Sequence, residues 1–383
     1  MDFAFTNEQE LLRNAVRELS EQYIAPRVNE MEETDQVPLD LLKHMAAQGF
    51  LGVTVPPDLG GTGLGHVARM IMLEEVARVS PALSMSLQCL HFGVAAIAES
   101  GNQKLIDQYI KPLLQGEIFA AAGITEASGG SDPSAGTTTA LEKDNGFILN
   151  GRKVFITNSH ISDTAMIVAK TADEPKKEFT AFWVDKKYGG FRPGRAEKKI
   201  GFHGCVTGEL ILEDCFVPAE NILGARGQGL AYALKGISDY GRTGIVGVAL
   251  GIMQACLEKA IKFAGERVLY GKPISNLPSI HFKIAEMHAD LAASRLLAYQ
   301  ACWLLDNKQR ADLAIATAKF YCTEAALRVS RKAMDIMGGY GCMVEYGVER
   351  YLRDAQLLVP ADGTNDIMRV VVGKTLTAPP KKK

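Results

Sequence analysis

What this chain has little of narrows the field first. Its seven cysteines, Cys89, Cys205, Cys215, Cys256, Cys302, Cys322 and Cys342, are odd in number and scattered without a CxxC pair. That argues against a disulfide framework and against a zinc ribbon, and no metal site is expected. An excess of charge is missing too: 42 Lys plus Arg stand against 44 Asp plus Glu, a formal net charge of -2. A nucleic-acid binder working through a broad basic field does not look like this, so no nucleic-acid partner is expected. No uninterrupted apolar run reaches the roughly 18 to 20 residues of a membrane span, the run 244–253 being about half of one, and no membrane partner is expected. The opening MDFAFTNEQELL carries acids and no basic segment, so a cleaved presequence is not expected either. A soluble protein of a reducing compartment, the cytoplasm, is the expectation.

What is there is ordinary globular material. At 383 residues, 47% hydrophobic and 22% charged, the chain can bury a large core in two or three packed domains. Thr6 and Gln9 form a capping box before Leu11, Leu12, Ala15, Val16, Leu19 and Tyr23, which recur on one helix face. Helical patterns follow over 39–48, 66–79, 82–99 and 103–115, with Pro56-Pro57 and Gly60-Gly61 between them. The texture changes near Glu117. Residues 147–149 and 154–156 flank Asn150-Gly151, a hairpin signal, and 165–169, 179–184 and 209–212 read as short strands. Helical periodicity returns beyond Gly229, over 253–264, 280–305 and 313–337, is broken at Gly338-Gly339-Tyr340-Gly341, and resumes near Thr364. The fold class expected is mainly α with a middle β domain, divided 1–117, 118–226 and 227–383. The closing TAPPKKK is expected to be a solvated tail.

Three segments have compositions a scaffold does not need. Ile124-Thr125-Glu126-Ala127-Ser128-Gly129-Gly130-Ser131-Asp132 offers small residues, N–H groups and hydroxyls to a flat or anionic ligand, although Ser/Gly loops are common. Phe155-Ile156-Thr157 puts an aromatic and a hydroxyl on one strand face, which an ordinary alternating strand also does. Pro360-Ala361-Asp362-Gly363-Thr364-Asn365-Asp366 is a turn with a helix cap, Asp362 or Thr364 accepting from the first N–H groups. A carboxylate beside Gly at a helix start is also well placed to act as a base.

Taken in this order, the segments resemble the acyl-CoA dehydrogenase family over essentially the whole chain. ITEASGGSD is similar to its T-E-x-x-x-G-S-D flavin loop and NGRKVFITN to its N-G-x-K-x-W-I-T-N strand pair. ISDYGR and GERVLYGKPI resemble the segments that open the C-terminal helical domain and cross to a neighbouring subunit. DIMGGYGCMVEYGVERYLRDAQLLVPADGTNDIMR resembles its Q-x-x-G-G-x-G-Y, E-R-x-x-R-D and Y-E-G-T signature. The resemblance implies an N-terminal helical domain, a β-barrel-like domain and a C-terminal four-helix bundle, with FAD between the last two, in a homotetramer. It implies α,β-dehydrogenation of an acyl-CoA: a carboxylate removes the α-proton while the β-hydride passes to flavin N5, and electron-transferring flavoprotein takes the electrons. An α-proton is weakly acidic, so the thioester carbonyl must be polarised where negative charge develops. In the family a flavin ribityl hydroxyl and the backbone N–H of the base residue, here Asp362, do this.

Residue by residue, the resemblance assigns Ala122, Ile124, Thr125, Gly130, Ser131, Phe155, Ile156, Thr157, Arg267, Asp335, Gly338, Gly339, Thr364 and Asp366 to the flavin. Ser131, Gln88, His91, Asp239, Arg242 and Gly363 fall to the substrate, with Asp362 as the base. Phe155 stands where Trp is usual, Asp335 and Pro278 where Gln is common, Cys205 where Ser and Asp366 where Glu or Gln are common. Arg242 could instead be in a plain helix-surface salt bridge, and His91 an ordinary helix histidine.

The departure that bears on function is Ala361-Asp362 in place of Tyr-Glu. Asp is shorter by about 1.5 Å of reach, and a base must come within hydrogen-bond distance of its proton. Loss of the aromatic at 361 makes room for a substrate to come closer. The expected substrate is therefore a bulky, alicyclic or branched acyl-CoA such as cyclohexane-1-carboxyl-CoA. The alternatives are a flavin oxidase of the same fold, similar to nitroalkane oxidase with its Asp base, and a catalytically silent flavin-binding scaffold.

Overall fold

The computed structural model describes residues 4–173 and 177–378, so the expected tail beyond Ala378 lies outside the described residues. The N-terminal part is six helices: α1 (Asn7–Leu19), α2 (Val28–Thr34), α3 (Leu39–Ala47), α4 (Gly65–Val79), α5 (Pro81–Ala98) and α6 (Gln103–Leu114). The capping box forms as expected, with Gln9 N donating to Thr6 Oγ1 and Thr6 N to Gln9 Oε1. Helices α4 and α5 meet at Ser80, whose hydroxyl accepts from Leu83 N while Pro81 occupies the first helical position.

One eight-stranded sheet follows, from β1 (Ala120–Gly123), β2 (Thr139–Lys143), β3 (Gly146–Thr157), β4 (Thr164–Ala172), β5 (Glu178–Asp185), β6 (Phe191–Ala196), β7 (Thr207–Pro218) and β8 (Ile222–Leu223). Its order is β6-β7-β3-β2-β4-β5-β8, with β1 parallel to β4. Strand β4 is buried on both faces: Ala165, Ile167 and Ala169 join the core inside the sheet, while Met166 and Val168 join the one shared with α5 and α6. The expected hairpin at Asn150-Gly151 does not form. Strand β3 runs straight through it with a bulge, because Asn150 Nδ2 donates to Asp214 Oδ1 and Asp214 N donates to Asn150 Oδ1 across to β7. The turn lies earlier, between β2 and β3, where Asp144 takes φ 52°. Pairing with β7 outweighs the local turn signal.

The rest is helical: α7 (Gly229–Gly236), a π-type turn at Ile237–Arg242, α8 (Thr243–Glu266), the small hairpin β9 (Val268–Leu269) and β10 (Lys272–Pro273), then α9 (Pro278–Asp306), α10 (Asp312–Met337), α11 (Glu349–Leu358) and α12 (Asn365–Thr377). Pro278 opens α9 at its first turn, where a missing N–H costs nothing. Helices α8, α9 and α10 pack on one another, α12 lies along α10, and α4 packs against both α8 and α9. Helix α5 and the stretch Gly229–Glu266 are long and apolar enough to cross a membrane, which counting uninterrupted apolar runs did not register. Their most apolar windows are 89% and 78% buried in the fold, so that apolarity serves helix packing.

A row of glycines makes the close packing possible. A Cβ on Gly251 would stand 2.4 Å from the Glu74 carbonyl and 2.5 Å from Ala77 Cβ, and one on Gly247 would stand 2.8 Å from Leu73 Cβ. Helix α4 therefore lies against the backbone of α8. We predict that Gly251→Ala lowers the melting temperature: the helix-propensity gain of about 1 kcal/mol is outweighed by overpacking of about 1–3 kcal/mol. Thermal unfolding followed by far-ultraviolet circular dichroism checks this, and an unchanged or higher Tm would contradict it.

Candidate active site

The sequence-expected residues gather in three places. The first surrounds Asp362, on the turn between α11 and α12. Asp362 takes φ 49° and Gly363 φ 97°. Asp is among the few side chains that tolerate this left-handed region. The helix cap falls to Thr364, whose hydroxyl accepts from Ile367 N, while Asp366 is exposed and bonded to Arg369. Asp362 is thus free of capping duty. Across from it, the π-type turn brings Arg242 Nε to donate to the Asp362 carbonyl at 3.3 Å. Turns of this kind recur at functional sites because they re-aim side chains out of helical register. Gly241 in the same turn leaves room for the carboxyl, since a Cβ there would stand 2.9 Å from Asp362 Oδ2.

Electrostatically this is one carboxylate among cations. Burial pushes the Asp362 carboxyl up, and Lys319, Arg242, Arg69 and the Gln88 amide pull it back in that order, the net direction being upward. Asp362 Oδ2 and Gln88 Oε1 are both buried without a hydrogen-bond partner among the described residues. A half-turn of the Gln88 amide presents its N–H groups instead, a choice that heavy atoms alone do not fix. Arg242 is held below its ordinary value by burial, which Asp362 partly offsets. Asp239 makes no bridge to it and pairs with Lys235 at 3.1 Å instead.

His91 is not available as a base. Its Nδ1 accepts from Arg69 Nε at 3.1 Å and its Nε2 lies 2.8 Å from the Phe50 carbonyl. Burial and then Arg69 drive it well below the ordinary histidine range, so it is a neutral ring holding an arginine. Arg69 also donates to Thr243 Oγ1 and the Tyr240 carbonyl, and burial brings it down to about 10.

The second place is the Thr125 loop and the end of β3. Glu126 fixes it. Buried at the root of the loop, its carboxylate accepts from Lys153 Nζ at 2.6 Å and from Thr137 N, Thr137 Oγ1 and Thr138 N. Burial pushes Glu126 up, but Lys153 and these bonds more than offset it and hold it at about 2. With the root anchored, Ala122, Ile124 and Thr125 stay half-buried while Gly130 and Ser131 are exposed. Val154 N donates to the Thr125 carbonyl, and a register shift between Lys153 and Ile156 follows. In it Phe155 takes φ 57° and is 66% exposed, while Ile156 is buried. A strained aromatic turned out of a strand is a mark of a binding surface. Thr157 joins this place to the first, lying near the Cys89 thiol on α5, next to Gln88 and within the field of Asp362.

The third place is remote. Arg267 caps α8 and lies over the Tyr340 ring at 5.4 Å, next to Gly338 and Gly339, with Asp335 exposed one turn earlier. Lys319 and Asp335 lie on one helix, and sixteen residues at 1.5 Å each put them about 24 Å apart. One chain therefore does not bring Arg267, Asp335, Gly338 and Gly339 to Asp362. Cys205 is buried and its thiol pushed up to about 12 by burial, an inert packing residue.

The functional residues missed from sequence are Lys319, Arg69, Gly241 and the Glu126–Lys153 pair. Lys319 carried a signal: it sits on the stripe of Ile315, Ala316, Cys322, Thr323 and Ala326, where a charge does not belong.

Hydroxyls at Thr125 and Thr157, exposed backbone at Gly130 and Ser131, and an outturned aromatic suit a flat ligand with a hydroxylated, anionic arm. The chain matches three family descriptions: acyl-CoA dehydrogenase N-terminal domain over 6–117, middle domain over 121–215 and C-terminal domain over 227–377. It is 37% identical over 375 residues to the caffeyl-CoA reductase-Etf complex subunit CarC of Acetobacterium woodii, covering 97% of this chain and 99% of that one. To the cyclohex-1-ene-1-carbonyl-CoA dehydrogenase of Syntrophus aciditrophicus it is 37% identical over 377 residues, 98% of this chain and 91% of the relative. The butyryl-CoA dehydrogenase structure from Megasphaera elsdenii superposes with a TM-score of 0.95 at 32% identity, covering 98% of this chain and 100% of that one. The chain belongs to the acyl-CoA dehydrogenase family: it is an oxidoreductase with FAD as cofactor.

Glu126→Gln tests the loop anchor. It leaves the Lys153 ammonium buried without its counter-charge, a loss of about 3–5 kcal/mol. Because Glu126 sits below its unfolded value, its stabilisation is complete above the ordinary carboxylate range and fades as pH falls through about 2. The gap in Tm between native and variant should be widest near neutrality and shrink in acid. A pH-independent gap would refute the assignment.

Proposed function

We propose that this chain dehydrogenates a bulky, alicyclic or branched acyl-CoA, of the kind of cyclohexane-1-carboxyl-CoA, with Asp362 as the base. The observation that carries the reading is a short carboxylate on a left-handed turn, in no ion pair among the described residues, with Ala361 beside it in place of a large side chain. The relative from Syntrophus aciditrophicus, named for a cyclohexenecarbonyl-CoA, supports the substrate class. FAD, when bound, supplies the acceptor for the hydride leaving the β-carbon. The chain does the rest. Asp362 Oδ2 takes the α-proton, and burial makes it a stronger base than a carboxylate in water. Arg242 holds the carbonyl of the base residue, so the turn keeps its aim when substrate enters. Gln88 is buried and Cys89 and Asp362 are half-buried, so a bound acyl group completes the exclusion of water, which strengthens every charge interaction at the reacting carbon.

Thr125, Ser131, Phe155 and Thr157 form this chain's surface for the flavin. We assign Arg267, Asp335, Gly338 and Gly339 to the flavin of a neighbouring chain, because they lie apart from Asp362 and the resemblance carries the Arg267 segment across to a neighbouring subunit; a homotetramer provides that neighbour. Electron-transferring flavoprotein is the proposed electron partner, supported by the name of the Acetobacterium woodii relative. The cytoplasm is the proposed compartment, on seven free cysteines.

Asp362→Asn should cut flavin reduction by substrate at least about a hundredfold, with FAD content and Tm nearly unchanged, since Asn tolerates the left-handed region as Asp does. Asp362→Glu should slow a cyclic acyl-CoA more than a slender straight-chain ester, the longer side chain filling the space beside Ala361. Stopped-flow reduction with both esters, and with a nitroalkane as a third arm, reads the result. Full activity in Asp362→Asn overturns the base, equal effects on both esters overturn the substrate class, and turnover of the nitroalkane alone points to the oxidase.

A further inference from the structure

Beneath the turn that carries Asp362 lies a charge without an anion. Lys319, on α10, is 0% exposed. Its Nζ donates to the Val359 carbonyl at 2.8 Å, the Gly363 carbonyl at 2.9 Å and Asn365 Oδ1 at 2.9 Å. Three donors meet three acceptors, all neutral, and no carboxylate forms an ion pair with it among the described residues. An ammonium out of water without a counter-charge is costly, and hydrogen bonds alone do not remove that cost. Two of the acceptors straddle the base: Val359 precedes Asp362 by three residues and Gly363 follows it. Drawing both carbonyls onto one point closes the turn in which Asp362 and Gly363 take positive φ.

We propose that Lys319 is the positioning residue of the base, fixing the backbone that presents Asp362 and serving as the buried counter-charge to its carboxylate. This rests on Asp362 being the base. The charged groups around the pair are few. Asp362 faces Lys319 from α10, Arg242 from the π-type turn, Arg69 from α4 and the Cys89 thiol from α5; Lys319 faces Asp362, Arg242 and Glu324. Lys319 exerts the largest pull of the three cations on Asp362. Burial brings Lys319 itself down to about 7, with Asp362 opposing that fall and Arg242 adding to it. The proton affinity of each group therefore depends on the charge of the other.

The charge and the staple are separable. Lys319→Met removes both, whereas Lys319→Gln keeps donors without charge. In the holoenzyme, activity is lost in acid as Asp362 takes a proton, and removing a cation that favours the ionised form moves that loss to higher pH. In both variants the acidic limb of flavin reduction should rise by about one pH unit or more. The second readout is independent of turnover: infrared difference spectra, with Asp362→Asn as the blank, should show the Asp362 carboxyl protonated at a pH where the native group is ionised. An unmoved limb and an unmoved carboxyl band, with only rate and Tm reduced, reduce Lys319 to a staple and overturn the proposal. If neither variant folds, the native carboxylate band decides, since it should shift as Lys319 loses its proton near pH 7; a band that ignores that step overturns the proposal. Full turnover in Asp362→Asn would defeat the base assignment alone, while the carboxyl band still reports on Lys319.

Discussion

The structure depends on how closely other elements can approach one helix. Gly241, Gly244, Gly247 and Gly251 leave one side of the π-type turn and α8 bare. Against this strip lie the Asp362 carboxyl, the Gln88 amide and Arg69, the side chains of Met70 and Leu73, and the Glu74 carbonyl in turn, each where a Cβ would collide. The row spans about 15 Å of helix. Its lower part packs α4 for stability, and its upper part admits the Asp362 carboxyl and its neighbours. Stability and chemistry thus share one surface, and a side chain added to it disturbs both.

Close approach explains the electrostatics as well. Lys319, Arg242 and Arg69 surround Asp362 where water screens charge weakly, and each of the three cations lowers its proton affinity. The cations are tied down by neutral partners: His91, Thr243 and the Tyr240 carbonyl for Arg69, the turn carbonyls for Lys319. The carboxylate keeps an unpaired oxygen. A fixed set of charges around one free acceptor is what proton abstraction from a weak carbon acid demands.

The Thr125 loop follows a different logic. There a single ion pair, Glu126 with Lys153, roots an exposed loop to β3, and the bulge beside it turns Phe155 outward. The loop gives up packing so that its backbone can meet a ligand, and the buried pair supplies the rigidity that the loop's glycines do not.

The three-part architecture was legible because periodicity reports burial, and the helix and strand patterns of 39–115, 165–184 and 253–337 reappear with small shifts. The motifs singled out Asp362, the Thr125 loop and Phe155, since each motif needs particular residues at fixed local spacing. Asn150-Gly151 misled because a turn signal is local and the β3–β7 pairing is not. For His91, Asp239 and Arg242, the residue types were plain but their partners were not; only packing decided that His91 serves Arg69, that Asp239 answers Lys235 and that Arg242 holds the Asp362 turn. Lys319 and Asp362 are 43 residues apart in the chain, and no spacing rule links a helix interior to a distant turn. By itself the sequence determined the elements, the family pattern and the kind of chemistry, which depend on neighbours along the chain. Tertiary structure alone decided which charges share a site, because that depends on which backbones come close enough to exclude water.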